Sequence, residues 1–307
     1  MSVSGVKHSN KIHETRVDRV FNGVVYFLII LLLIIFIYPL WFVLMASVSD
    51  PAYVNSGTPL LWPMGFTTMG YNRVFADNRI WIGYANTILY AGLGMVVSTM
   101  VQVMAGYSLS RRDLPGRSIF MGLFVFTMYF GGGLIPFYLV VKQLNLVNSR
   151  ILMIILGCSS VYNIIIARSF FTSSLPVELY EAASIDGCTN QRYFFSIVLP
   201  LSKAIIAVIA LYALVAQWNS YFNAMIFLTD RNKYPLQLYL REILLAAKTY
   251  EDVSMVGGDV EAAAQMEKMG EVIKYGVIVV STLPVIVVYP FLQKYFVQGV
   301  MIGSLKG

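Results

Sequence analysis

The chain has 307 residues, of which 58% are hydrophobic and 12% are charged, and its mean hydropathy is +0.69. A soluble domain of this length is much more polar, so the composition excludes that class and indicates an integral membrane protein. Two cysteines, two histidines and a formal net charge of +6 give no basis for a disulfide framework, a metal site or a nucleic-acid partner.

Six apolar runs are long enough to cross a bilayer, which takes about 20 helical residues. They cover residues 23–47, 81–106, 118–141, 150–171, 202–228 and 275–295. With both termini in the cytoplasm, the cytoplasmic segments carry twelve basic and six acidic residues, and the other side carries ten of each. Basic segments stay in the cytoplasm. The pattern therefore predicts an all-α membrane protein with six transmembrane helices and cytoplasmic termini.

The first apolar run follows a polar segment, residues 1–22, which we predict to be cytoplasmic. Its charged residues alternate with Val17, Val20 and Phe21, which suits either an amphipathic helix on the inner membrane surface or a helix that extends the first span. The run itself is too long for the apolar core of a signal peptide and is expected to be retained. The transmembrane domain then covers 23–295 and a cytoplasmic tail 296–307.

Two segments outside the spans are large enough to have a shape of their own. Residues 48–80 are rich in proline and glycine and predict an ordered external loop. In residues 229–274, Leu236, Leu240, Ile243 and Leu244 recur at helical spacing, so an external helix is expected before the Gly257-Gly258 turn. Both loops are candidates for docking an external protein, and the alternative is that they only cap the helix bundle.

In the third predicted span, Gly131, Gly132, Gly133 and Pro136 form a cluster that weakens a helix near the middle of the membrane. Irregular backbone at this depth is tolerated where it is buried in protein or lines a cavity. The cluster is therefore a hinge or gate candidate. Close helix packing explains the glycines almost as well.

In the fifth predicted span, Tyr212, Ala216, Asn219 and Asn223 share one helix face. Amides read sugar hydroxyls and aromatic rings cover apolar sugar surfaces, so this face is a candidate substrate path. Further candidates for its lining are Tyr129, Tyr162 and Asn163. The alternative is that these side chains join helices by hydrogen bonds.

Between the fourth and fifth spans, the cytoplasmic segment 172–201 contains the polar stretch EAASIDGCTNQRYFFSIVLP, which starts at residue 181. Glu181 and Asp186 offer carboxylates to a basic partner, and Ala182 and Ala183 keep one helix face thin. Gly187 allows a sharp turn. The aromatic residues that follow, Tyr193, Phe194 and Phe195, are expected to pack this segment against the bundle. We predict a short helix that docks in a groove of another protein.

The order Glu-Ala-Ala, three residues, Gly, nine residues and Ile-x-Leu-Pro resembles the cytoplasmic-loop signature of permease subunits of binding-protein-dependent ABC importers. IYPLWFVLMASVSDP, GGGLIPFYLVVKQLNLVNS and WNSYFNAMIFL extend the similarity over nearly the whole chain, to carbohydrate permeases like the membrane subunits of the maltose transporter. The glycine cluster and the PLQLYLREIL segment look most like the branch that handles oligosaccharides in Gram-positive bacteria.

This resemblance implies a type I ABC importer permease fold in a bacterial cell membrane. It also implies a heterodimer with a second related permease, two cytoplasmic ATPase subunits that hold ATP and Mg, and an external solute-binding protein that delivers an oligosaccharide. The segment Glu181 to Gly187 is then the coupling helix. The sequence contains no G-x-x-x-x-G-K-[ST] loop, so ATP hydrolysis needs a separate polypeptide and this chain is expected to bind no cofactor.

Other functions fit the sequence less well. An ion-coupled secondary transporter needs ionisable groups inside the membrane, and the predicted spans contain almost none. An intramembrane enzyme needs a nucleophile with a base, or a metal cluster, which the spans do not provide. A permease for a non-sugar solute remains an alternative.

Overall fold

The computed structural model describes residues 15–56, 60–254, 270, 273–288 and 290, and every regular element in this part of the chain is helical. The helices are α1 (Arg16–Ala46), α2 (Pro51–Asn55), α3 (Met69–Ala76), α4 (Asn78–Ser110), α5 (Arg117–Tyr129), α6 (Leu134–Gln143), α7 (Arg150–Ile155), α8 (Val161–Ser174), α9 (Val177–Ile185), α10 (Asn190–Tyr193), α11 (Leu199–Leu201), α12 (Lys203–Trp218), α13 (Phe222–Phe227), α14 (Leu236–Ser254) and α15 (Ile273–Val288). A π-helical turn, Phe194–Val198, joins α10 to α11.

Helix α4 is the centre of the bundle and contacts α7, α8, α12 and α14. Its buried side includes small residues such as Gly83, Gly94 and Ser98, which let neighbouring helices approach. The crossing with α8 is the tightest, because a Cβ atom at Gly106 would stand 2.4 Å from Cβ of Ala167. The core of the described bundle is therefore organised around one long helix.

Helix α1 contrasts with α4, because its apolar span is not buried by the rest of the chain. It starts with a capping box between Thr15 and Asp18 and runs without interruption from Arg16 to Ala46. Residues 16–22 therefore belong to the same helix as the first predicted span. This agrees with the interpretation that they extend the span, and not with a separate amphipathic helix on the membrane surface. Residues 1–14 lie outside the described part.

Three of the predicted spans are interrupted. The third is divided into α5 and α6, and the chain bends by 113° between these two helices. The fourth is divided by residues 156–160, and the fifth by 219–221. Within the described residues, two helices are long and apolar enough to cross a membrane, or four if two bent helix pairs each count as one span. The total of six spans stays a prediction.

Both predicted loop regions are ordered where they are described. In the segment after α1, the amide of Asp50 donates to the carbonyl of Met64, and that of Thr67 donates to Val48, both at 2.9 Å. Helix α14 begins at Leu236, as the spacing of its leucines predicts, and Leu236 and Leu240 are buried. The predicted Gly257-Gly258 turn, residues 291–295 of the sixth span and the tail 296–307 lie outside the described residues.

Candidate functional site

Helix α9 presents an acidic face to solvent. Glu178, Glu181, Ala182 and Ile185 are exposed and follow the spacing of one helix face. Ile185 is 86% exposed, so the face combines two carboxylates with one unprotected apolar side chain. Asp186, directly after the helix, is also exposed. Such a surface suits a groove that has basic rims and an apolar floor.

The opposite face of α9 packs into the bundle. Ala183 is buried in a core cluster with residues of α4, α8 and α12, and Leu179 and Tyr180 pack against the same cluster. The structure therefore separates the two alanines of the motif, since Ala182 is exposed and Ala183 supports α9 from behind. Tyr193 and Phe194 are buried as expected. Phe195 is 57% exposed, so the prediction that it packs inward is wrong.

Gly187 ends α9 in a Schellman motif. The amide of Cys188 donates to the carbonyl of Ala183 at 2.9 Å, and the amide of Gly187 donates to Ser184 at 3.1 Å. This closure requires φ of +73° at Gly187, a conformation that side-chain-bearing residues adopt at a cost. The sharp turn predicted at this glycine is confirmed.

The loop after α4 meets the inner face of α9. The guanidinium of Arg111 lies 3.9 Å from the centre of the Tyr180 ring and forms a salt bridge of 2.5 Å with Asp113. The hydrogen bonds that Arg111 donates hold the pKa of the Asp113 carboxyl below its ordinary value, and the same hydrogen bonds raise the pKa of Arg111. A cavity of about 300 Å³ lies between this loop and α9, and Glu181 is part of its wall.

A cluster of three amides, Gln102, Asn163 and Gln217, fills the interruption between α7 and α8. The Gln217 amide donates to the carbonyl of Leu156 at 2.8 Å, and more weakly to those of Met153 and Ile154 at 3.3 and 3.5 Å. Gln102 donates to the carbonyls of residues 157 and 158 at 3.4 and 3.2 Å. Asn163 in turn donates to Gln102 at 2.9 Å. Backbone groups left unpaired by the break are thus satisfied inside the protein.

A polar cavity of about 170 Å³ lies beside this amide cluster. It brings together Asn163, Tyr212 and Asn223 of the predicted path, but not Asn219, Tyr129 or Tyr162. Its remaining polar wall consists of Ser98, Gln102, Ser160, Gln217 and Ser220. Amide and hydroxyl groups line this cavity, and none of its side chains carries a charge.

The candidate path residues differ in their partners. Asn163 is buried and bonded to Gln102, which is the arrangement of a helix-joining amide. Asn219 is exposed and donates to the carbonyl of Val215 in its own helix at 3.0 Å. The side chain of Asn223 forms no hydrogen bond within the described residues and reaches the cavity. Tyr129 and Tyr162 are 73% and 57% exposed.

The glycine cluster coincides with a break in the structure. Residues 130–133 separate α5 from α6, and Pro136 lies in the first turn of α6, where proline is tolerated. Gly133 has φ of +85°. Among the described residues, no atom outside the local chain lies within 4 Å of a Cβ position built at Gly131 or Gly132. Close helix packing therefore does not explain these two glycines in the isolated chain.

Sequence reasoning missed Gln102 and Gln217, which hold the α7–α8 interruption, and Arg111, which contacts α9. The signal for the two glutamines was present, because each is an amide within an otherwise apolar run. The contact of Arg111 with Tyr180 had no such signal. Within the described part of the chain, no group of three or more His, Cys, Asp or Glu side chains is placed to hold a metal ion.

The chain is similar over nearly its whole length to curated bacterial proteins. It is 38% identical to the polygalacturonan/rhamnogalacturonan transport system permease protein YtcP of Bacillus subtilis, over 94% of this chain and 99% of that protein. It is 36% identical to protein LplC of the same organism, over 96% and 98% of the two chains. The maltodextrin transport system permease protein MdxG of B. subtilis is 28% identical over 92% of this chain and 95% of its own. No protein-family model matches the chain.

Among solved structures, the chain matches a bacterial ABC transporter involved in the import of the acidic polysaccharide alginate. The TM-score is 0.80, with 33% identity over 93% of this chain and 100% of that chain. The overall helical fold described above is therefore shared with an experimentally determined transporter.

Proposed function

Because the chain belongs to the family of carbohydrate ABC transporter permeases, we propose that it is the membrane-spanning subunit of an ATP-driven importer of oligosaccharides. The observation that carries this proposal is the full-length similarity to sugar permeases, together with an exposed acidic helix that ends in a glycine turn. In this proposal, an external solute-binding protein delivers the sugar, and a second related permease completes the pathway. Two cytoplasmic ATPase subunits bind ATP and Mg.

Helix α9 is the proposed contact to an ATPase subunit. Glu181, Ala182 and Asp186 lie on its exposed side, and the geometry adds Glu178 and Ile185 to them. Ala183 and Gly187 act indirectly in this proposal, since Ala183 seats the helix on the bundle and Gly187 ends it. ATP-driven closure of the ATPase subunits would move α9 and thereby shift the bundle between its inward-facing and outward-facing states.

The polar cavity is the proposed part of the sugar path in this chain. Asn223 and Tyr212 line it beside the amide cluster. Asn219, Tyr129 and Tyr162 lie on exposed surface, so any contact they make with sugar requires a surface shared with the second permease. The open break at residues 131–133, with Pro136, is the proposed hinge or gate, because a bilayer does not tolerate such backbone unless water or protein covers it.

The substrate class follows from the relatives rather than from the cavity. Names of relatives refer to polygalacturonan or rhamnogalacturonan and to maltodextrin, and the solved transporter imports alginate. We therefore test oligosaccharides of galacturonic acid first. Uptake of such fragments by cells that carry the transporter, and loss of uptake when this chain is deleted, is the expected result. Uptake of amino acids or peptides instead would favour the non-sugar alternative.

Topology is tested separately. We expect six spans with both termini in the cytoplasm, which places α9 and the following turn inside the cell. A cysteine introduced at Asn190 should resist membrane-impermeant reagents in intact cells and react in opened cells. Labelling from outside would contradict the topology and the proposed ATPase contact together.

The ATPase contact is tested with two substitutions of Gly187. Both strain the turn, because φ is +73° there, but Gly187→Trp also places a bulky group next to the exposed face. We expect Gly187→Ala to reduce uptake partly and Gly187→Trp to abolish it, while the permease pair still assembles. Normal uptake by Gly187→Trp would contradict the proposed contact.

A further inference from the structure

Four side chains connect the loop after α4 to the inner face of α9, and we call them the Arg111 clasp: Tyr107, Arg111, Asp113 and Tyr180. The Arg111 side chain donates to the Asp113 carboxylate from Nε at 2.8 Å and from a terminal nitrogen at 2.5 Å. Its other terminal nitrogen donates to the Tyr107 hydroxyl at 3.2 Å. The face of the guanidinium covers the Tyr180 ring at 3.9 Å.

This arrangement uses properties that only arginine has. The planar guanidinium binds a carboxylate with two parallel N–H groups and stacks on a ring at the same time, whereas the ammonium of lysine is a point charge. The Arg111 side chain is 16% exposed and that of Asp113 is 61% exposed, so the salt bridge is largely solvated and contributes little. The stack on the half-buried Tyr180 ring is partly removed from water and is stronger than a stack at an exposed site.

The clasp joins α9 to helix α4 and not only to a loop. Tyr107 belongs to α4, and its ring packs against Phe194 at 4.9 Å and Phe171 at 5.7 Å. Gln102, which holds the α7–α8 interruption, lies five residues earlier on the same helix, a rise of roughly 8 Å. Movement of the cytoplasmic end of α4 therefore acts on the helix that contributes Gln102 to the amide cluster and borders the polar cavity.

The other side of Tyr180 is held as well. Its ring meets Tyr193 edge to face at 5.2 Å, and its hydroxyl donates to Asn190 at 3.1 Å. Tyr180 thus lies between the loop after α4 and the segment that leads to α12. The exposed face of α9, with Glu178 and Glu181, takes no part in these contacts, so the clasp leaves the proposed ATPase surface unobstructed.

Resting on the proposed function of α9 as the coupling helix, we infer that Arg111 is a positioning residue that makes α9 and the cytoplasmic end of α4 move as one body. ATP-driven displacement of α9 is then passed to α4 through the Arg111–Tyr180 stack. Without the stack, α9 still docks on the ATPase, but its displacement is lost before it reaches the cavity.

The first experiment measures how far the loaded binding protein stimulates ATP hydrolysis by the complete reconstituted transporter. Tyr180→Leu and Arg111→Lys should lower this stimulation by about twofold to tenfold with the complex fully assembled. Tyr180→Phe keeps the ring and is the matched control, with stimulation close to that of the native protein. Unchanged stimulation in Tyr180→Leu, or an equal loss in Tyr180→Phe, would overturn the inference.

A distance measurement tests the rigid connection independently of activity. Spin labels are placed at Arg112 and Ser184, which are both exposed and belong neither to the clasp nor to the proposed ATPase contact. In the assembled native transporter, their separation should be the same with and without ATP, and in the Arg111→Gln background it should change when ATP binds. A separation that already changes with ATP in the native background would overturn the inference. If both clasp experiments failed but Gly187→Trp abolished uptake, the inference about Arg111 would be wrong and the proposed ATPase contact would still be supported.

Discussion

The interruption between α7 and α8 and the interruption between α5 and α6 use similar backbone in different surroundings. Each contains a glycine with positive φ, Gly157 at +84° and Gly133 at +85°. The α7–α8 interruption is closed by amides of Gln102 and Gln217, which donate to its carbonyl groups. At the α5–α6 interruption, by contrast, no side chain of the described residues forms a hydrogen bond with the backbone of Gly131, Gly132 or Gly133. The first is a fixed part of the fold, and the second depends on water or a partner to satisfy it.

The largest effect on stability is expected from a substitution that leaves the carbonyl groups of the α7–α8 interruption without a donor. Gln217→Met keeps the side-chain length but removes the donor to the Met153, Ile154 and Leu156 carbonyls. Leaving buried carbonyls unpaired should cost about 1–3 kcal/mol, visible as a lower thermal unfolding midpoint of the purified complex. Gln191→Met is the control, because Gln191 is exposed. Equal midpoints for Gln217→Met and the control would show that the amide does not hold this interruption.

A second effect on stability, of similar size, separates the glycines of the open interruption. Gly133→Ala forces a side chain into φ of +85° with ψ of 168°, a region that costs roughly 1–3 kcal/mol for other residues. Gly132→Ala meets no atom within 4 Å and has no positive φ, so it should leave the unfolding midpoint nearly unchanged. If Gly132→Ala were as destabilising as Gly133→Ala in the assembled complex, the open space would be filled by a partner.

The polar cavity next to the closed interruption gives a third test. Asn223→Ala removes an amide that has no partner among the described residues, so stability should be kept and the half-saturating sugar concentration for uptake should change a few-fold, about 1 kcal/mol. Asn163→Ala breaks the bond to Gln102 and should lower stability. Asn219→Ala, which loses only a bond to the Val215 carbonyl in the preceding turn, is the control for stability. Lost stability without altered uptake in Asn223→Ala would assign Asn223 to helix joining.

The smallest effect concerns the pH dependence of stability. The amides that close the α7–α8 interruption do not titrate, so this dependence is expected from a carboxylate elsewhere in the chain. Asp77, in the segment before α4, forms a salt bridge of 2.8 Å with Arg79, and this contact lowers the pKa of Asp77 to about 2. A lowered pKa contributes stability that is present above the ordinary value near 4 and is lost as pH falls through about 2. Asp77→Asn should therefore lower the unfolding midpoint slightly at pH 7, and the difference from the native protein should narrow at pH 3. A difference that widens on acidification would contradict this assignment.

Sequence patterns predicted the local features of the molecule better than its long-range contacts. The short helix before Gly187 and the helix beginning at Leu236 follow from spacing and turn chemistry within a few residues. The break at 131–133 follows from three consecutive glycines. These are cases in which neighbouring residues decide the backbone.

The closed interruption shows why the rest was missed. Residues 150–171 form one apolar run, and hydropathy alone predicts one continuous span. The break at 156–160 is stable only because Gln102 and Gln217, both more than fifty residues away in sequence, supply the donors. The stack of Arg111 on Tyr180 also joins residues that are far apart in sequence. The charge pattern of the sequence identified Arg111 only as one of the basic residues of the cytoplasmic segments.

Helix α1 has a consequence for the biogenesis of the transporter. Its 31 residues rise about 46 Å. Its last two turns contact other segments through Trp41 and Phe42, but its apolar span is not buried by the described chain. It can enter the bilayer and fold before the remaining helices are synthesised, since its backbone hydrogen bonds are all internal. The chain's own fold does not fix its final position. We therefore expect α1 to be the segment that a membrane quality-control protease recognises when the chain is made without its companions, and the segment most readily exchanged for an unrelated span of equal length.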